Sequence, residues 1–124
     1  MKKVTIVVQV LLGLMMIIFG LNKFIGFMPM PEAAEPAATF MGALIATGYI
    51  MPIVALVEII TGLLILFNKY QAISLVILFP VMLNAFLFHL FLDLSGIGGA
   101  LMAMAMIIFL LFAQKDKFTQ LFKA

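Results

Sequence analysis

The sequence predicts an all-α integral membrane protein: a four-helix bundle with a short extra helix or lid between its first and second long helices. Three observations carry that prediction. Of the 124 residues 67% are hydrophobic and only 10% charged, whereas about a quarter of the residues in an ordinary soluble domain are charged. With a mean hydropathy of +1.35, too little polar surface exists to cover a water-soluble globule. The apolar residues also fall in uninterrupted runs of bilayer length, and not in the alternating segments of about ten residues that mark membrane strands.

The first helix is predicted over about 4–22, because Val4 to Asn22 is charge-free and almost wholly aliphatic. A second apolar run from Pro36 to Asn68 is broken only by Glu58. Within it, Gly48 and Pro52 predict a spanning helix over about 49–67, which leaves Ala37 to Thr47 as a short helix. The third helix, about 71–92, carries Pro80, Asn84 and His89. The fourth, about 96–113, ends in Gln114-Lys115-Asp116-Lys117. The glycines of Ser95-Gly96-Ile97-Gly98-Gly99-Ala100 read as a tight start to this helix that permits close packing, and not as a phosphate loop. Four crossings result, in a single transmembrane domain over residues 1–124. The proline-stiffened stretch Phe27 to Ala38 is expected to cover one mouth of the bundle as a lid.

Met1-Lys2-Lys3 before an apolar run resembles a signal peptide, but the apolar segment exceeds the usual h-region of about 7–15 residues. Lysines set the orientation. If the helices alternate, Lys2, Lys3, Lys69, Lys115, Lys117 and Lys123 share one side and only Lys23 lies on the other, which predicts cytoplasmic termini. All seven basic residues are Lys, with no arginine fork and no basic stripe, so nucleic acid is not an expected partner. The expected partners are the lipid bilayer itself and a membrane or redox protein.

Polar residues inside so apolar a chain carry the information, since an ionisable group at the bilayer centre costs at least ~2.5–3.5 kcal/mol on insertion scales. Glu58 lies mid-helix, on one face with Ala55, Thr61 and Gly62, all small enough for close helix packing. In the first helix Gln9, Gly13, Met16, Gly20 and Lys23 form one stripe made mainly of small or polar residues. Asn84 lies near the middle of the third helix, His89 nearer its end, and Asp93 on the face of His89 four residues later. Lys23, Glu58, Asn84 and His89, with Asn22 and Asp93 at the rim, are therefore the candidate ligand pocket or polar network, opening outward. Counted by helical rise, about nine residues separate the levels of Lys23 and Glu58, with Asn84 and His89 between them in depth.

Several chemistries fail on counting. A bis-histidine haem needs two imidazoles and the chain has one His; cysteine is absent, which removes thiolate nucleophiles, iron–sulfur clusters and Cys-ligated zinc. The eleven Met residues, Met28-Pro29-Met30 included, read as apolar packing and not as a copper site, so no metal is expected.

Gly20-Leu21-Asn22-Lys23-Phe24, Gly48-Tyr49-Ile50-Met51-Pro52, Val57-Glu58-Ile59-Ile60-Thr61-Gly62 and Phe88-His89-Leu90-Phe91-Leu92-Asp93 together resemble the DoxX family of small four-helix membrane proteins. The resemblance runs in order along essentially the whole chain. It implies a prokaryotic inner-membrane protein, and for one branch, DoxD, an association with thiosulfate:quinone oxidoreductase. Two functions stay open. One is a non-catalytic bundle or accessory subunit whose polar pocket accepts a lipid or other hydrophobic ligand. The other is a membrane subunit of a quinone-linked oxidoreductase, with a quinone as cofactor and the pocket holding its head group. No catalytic residue set assembles from these residues alone, so whether the chain is an enzyme is open too. A small multidrug exporter fits less well, because the glutamate is in the second long helix, the lysine bias opposes dual topology and no Trp is present to stack a cationic drug.

Overall fold

The computed structural model describes residues 2–25 and 35–122. They form five α-helices, α1 (Lys2–Ile25), α2 (Ala37–Ala46), α3 (Ile50–Leu66), α4 (Gln71–Phe91) and α5 (Ile97–Ala113), with 3-10 turns at Leu94–Gly96 and Lys115–Phe122. Among the described residues there is no strand. Each predicted helix is present, its ends unchanged or moved by at most three residues. The lid expected over Phe27 to Ala38 lies outside the described residues as far as position 34; Glu35 and Pro36 form a turn into α2, where the Glu35 carboxylate accepts a hydrogen bond from the Thr39 hydroxyl.

Three helical segments are long and apolar enough to cross a membrane: Lys2–Ile25, Gln71–Phe91 and Leu94–Ala113. The remaining apolar run is broken, for α2 and α3 meet at 89°. Local chemistry makes the break. Gly48 adopts φ +79°, a left-handed conformation open to glycine at little cost, and its N–H closes on the carbonyl of Ile45. The Thr47 hydroxyl then accepts the N–H of Ile50 as α3 begins. Pro52 sits in the first turn of α3, where its missing N–H costs nothing. At the other end of α3, Asn68 stands at φ 56°; the Lys69 N–H reaches the Leu64 carbonyl and the Asn68 N–H the Ile65 carbonyl. That pair of bonds is a Schellman motif with Asn in place of Gly, and it reverses the chain into α4 within four residues.

The four long helices close a ring, α1 on α3, α3 on α4, α4 on α5 and α5 back on α1. Leu12, Met16, Ile65, Leu75, Leu78, Met82, Ala103, Met104, Ile107 and Leu110 fill its centre. One end, the base, holds the start of α1, the α3–α4 turn and the end of α5; the other, the crown, holds Lys23, α2 and the α4–α5 turn. The α1–α3 seam is the closest approach. A Cβ on Gly13 would lie 2.9 Å from the Gly62 carbonyl oxygen, one on Gly62 would lie 2.9 Å from the Gly13 oxygen, and one on Gly20 would meet the Ala55 oxygen at 2.8 Å. Backbone touches backbone there, as small residues permit between apolar helices.

Because a Cβ on Gly62 would meet the main-chain oxygen of Gly13 at 2.9 Å and the main-chain nitrogen of Ile17 at 3.1 Å, neither of which can swing aside, Gly62→Ala should destabilise the protein by about 1–3 kcal/mol. Gly42→Ala, whose Cβ would meet nothing within 4 Å, serves as the control and should be neutral or slightly stabilising. Thermal unfolding of the two variants in detergent measures the difference; equal melting points would show that the seam is looser than described.

Candidate functional site

The glycine seam sets the register that makes the site. Gly13 faces Gly62 and Leu66, and Gly20 faces Ala55 and Ile59, so α1 and α3 run antiparallel. Continued to the end of α1, that register brings Lys23 level with about position 54, roughly one helical turn from Glu58. The separation of about nine residues expected from the sequence is therefore corrected: it placed the helix ends level, whereas the close glycine contacts slide α1 along α3.

One turn is within reach of a lysine stem. Lys23 Nζ lies 2.6 Å from Glu58 Oε1. Glu58 is 3% exposed; Lys23 stands at the open end of α1 and is exposed as a residue, but its side chain is only 25% exposed. Oε1 accepts no hydrogen bond of good directionality, so the contact is above all an ion pair. A carboxylate this deeply covered depends on its cation, since removing one partner of a buried pair leaves an uncompensated charge. Thr61, on the face of Glu58, is satisfied within its own helix by donating to the Val57 carbonyl at 2.6 Å. Asn22 and Gln9 are buried at 9% exposed each, on the same helix as Lys23.

The other candidates are elsewhere. Asn84 is exposed on the outer side of α4, which corrects its expected place inside the network: α4 is apolar nearly all round, so its sequence alone does not say which face packs inward. His89 and Asp93 do meet, through the His89 ring and the Asp93 backbone. The Asp93 carbonyl lies 3.1 Å from His89 Nδ1, so Nδ1 carries the proton and donates it. The Asp93 carboxylate accepts the Ser95 hydroxyl at 2.5 Å. The imidazole is edge-on to Phe88, 5.1 Å between centroids, and fits only because Gly96 has no side chain: a Cβ there would come within 2.5 Å of Cε1. His89 thus fastens the α4–α5 corner. Among the described residues no hydrogen bond or ion pair joins Asn84, His89 or Asp93 to Lys23 and Glu58, and no three His, Asp or Glu side chains converge as a metal site would need.

The base holds polar groups that sequence reasoning passed over. Gln71 and Ser74 are buried, the Gln71 amide donating to Asn68 Oδ1 at 3.3 Å, while Ser74 Oγ and Gln114 Oε1 are enclosed with no hydrogen bond. Their positions at helix ends, where polar residues are ordinary, hid them. Two grooves also open at the base and not at the ion pair. One is lined by Leu63, Leu64, Phe67 and Lys69; the other runs between α4, α5 and the final turn, past Val76, Ile108 and Phe118. No family model matches the chain, and neither the curated proteins nor the solved structures contain a significant match.

Lys23→Met should cost about 3 kcal/mol of stability, because it strands the buried Glu58. In Lys23→Met/Glu58→Met most of that loss should return, since two apolar side chains replace the pair. Chemical denaturation of the two variants and of Glu58→Met in detergent gives the coupling. Additive losses would show that the two charges do not depend on one another.

Proposed function

We propose that the protein is a four-helix membrane bundle of the DoxX type, in which α1, α3, α4 and α5 each cross the bilayer, and that it serves as a non-catalytic accessory module. With 17 residues, α3 is at the short limit for a crossing, and its place in the ring between α1 and α4 supports counting it with the three longer spans. The single observation that carries the functional reading is the state of Glu58. It is paired with Lys23 and only 3% exposed. An acid that relays protons to a carrier must be reached by that carrier or by water; this one is enclosed where two helices touch through their backbones. Its work is to hold α1 against α3.

Lipid or another hydrophobic ligand then meets the outside of the bundle, and any chemistry belongs to a partner protein. Among the described residues the base carries Lys2, Lys3, Lys69, Lys115 and Lys117 against Lys23 at the crown, which supports a cytoplasmic base in a prokaryotic inner membrane.

Solvent extraction of protein purified in mild detergent, followed by mass spectrometry and reduced-minus-oxidised spectra, should yield phospholipid and no bound redox carrier. About one quinone per chain, reducible in place, would overturn the accessory reading in favour of a quinone-linked subunit. For orientation, reporters fused at the C-terminus should be active in the cytoplasm; activity only in the periplasm would invert the bundle.

A further inference from the structure

Away from the helix ends, the exposed surface of the four long helices is apolar among the described residues except at one place. Away from the helix ends, Asn84 is the only polar side chain among the described residues of α1, α3, α4 and α5 that is exposed. It has no hydrogen bond to any described group. In lipid an amide with two donors and an acceptor has no solvent to satisfy it, and an exposed one near the centre of a span is met by another polar group.

Its surroundings say what that group is. The exposed residues of α4 include Ile73, Ile77, Pro80, Asn84, Leu87 and Phe91, spaced by four, three, four, three and four. That alternation is the seam of a left-handed helix pair, a period of about 3.5 residues on a helix of 3.6. Pro80, on the same face, lacks the N–H that would bond the Val76 carbonyl, so the seam holds a second acceptor without its helical donor. A single Asn among apolar seam positions is the arrangement that fixes register between two identical helices.

We propose that α4 is the surface through which two copies of this chain pair, with Asn84 of one copy hydrogen-bonded to Asn84 of the second. Symmetry makes this self-consistent. Two copies inserted in the same orientation are related by a twofold axis along the membrane normal, so α4 lies parallel to its counterpart and every seam residue meets itself. An amide is among the few side chains that can both donate to and accept from its own copy. The pairing rests on the membrane reading above.

The chain has no native cysteine, so single cysteines report contacts directly. In native membranes Ile77→Cys and Leu87→Cys should form disulfide-linked dimers on mild oxidation, while Val7→Cys and Leu101→Cys, exposed on α1 and α5, should not. In detergent, Asn84→Leu should weaken the dimer about tenfold, as loss of an interhelical hydrogen bond implies, and Asn84→Gln should stay within about threefold. Asn84 is exposed and makes no hydrogen bond to a described group, so both variants should fold; unchanged melting points check this. Cross-linking to a protein of another mass, no cross-linking from the α4 positions, or an Asn84→Leu dimer of unchanged affinity overturns the pairing. Alkaline carbonate extraction separates that failure from failure of the membrane reading. Protein retained in the membrane pellet but monomeric refutes the dimer alone, and protein released to the supernatant refutes both.

Discussion

A carboxylate in the middle of an apolar helix calls for a cation from within its own bundle, and among the described residues it is Lys23 that meets Glu58. The rest of the arrangement follows from that requirement. For a lysine at the end of α1 to reach Glu58 in α3, the two helices must lie close and be shifted along each other, and Gly13, Gly20 and Gly62 allow both. Any Cβ at these positions would push the backbones apart and draw the ammonium away from the carboxylate. The seam and the ion pair are therefore one device: the register set by the glycines brings the charges together, and their pairing holds α1 against α3.

The turns complete the ring with local chemistry. Gly48 bends the apolar run so that α2 leaves the axis of α3, Asn68 reverses α3 into α4, and His89 tucked against Gly96 holds the corner into α5. Each uses a residue whose backbone or side chain is unusually permissive for that position. At the crown His89, Asp93 and Ser95 bond to one another and not to Lys23 and Glu58, so the polar residues gathered there in sequence divide into two separate groups among the described residues.

Some of this was legible in the sequence. Apolar runs, with the break at Gly48 and Pro52, placed the helix ends within three residues, and the small neighbours Ala55, Thr61 and Gly62 put Glu58 on the inner face of α3. Axial register was not legible, because periodicity assigns a face to each residue but carries no information on how far one helix slides along another. The facing of Asn84 escaped for a different reason. With apolar residues on every side of α4, its inner face is decided by the side chains of α3 and α5 that it packs against. The roles of His89 and Asp93 depended on a 3-10 turn at Leu94–Gly96 that no spacing pattern announces.

That Lys23 and Glu58 are in direct contact is the claim on which the register of α1 on α3 and the reading as an accessory module both depend. Solid-state NMR in lipid bilayers, with lysine Nζ labelled with nitrogen-15 and glutamate Cδ with carbon-13, measures that contact without altering the protein. The account predicts strong dipolar dephasing from one glutamate, matching a separation within about 4 Å, and its loss in Glu58→Gln. Absence of dephasing from every glutamate signal would contradict it, and would reopen Glu58 as an acid available to a ligand.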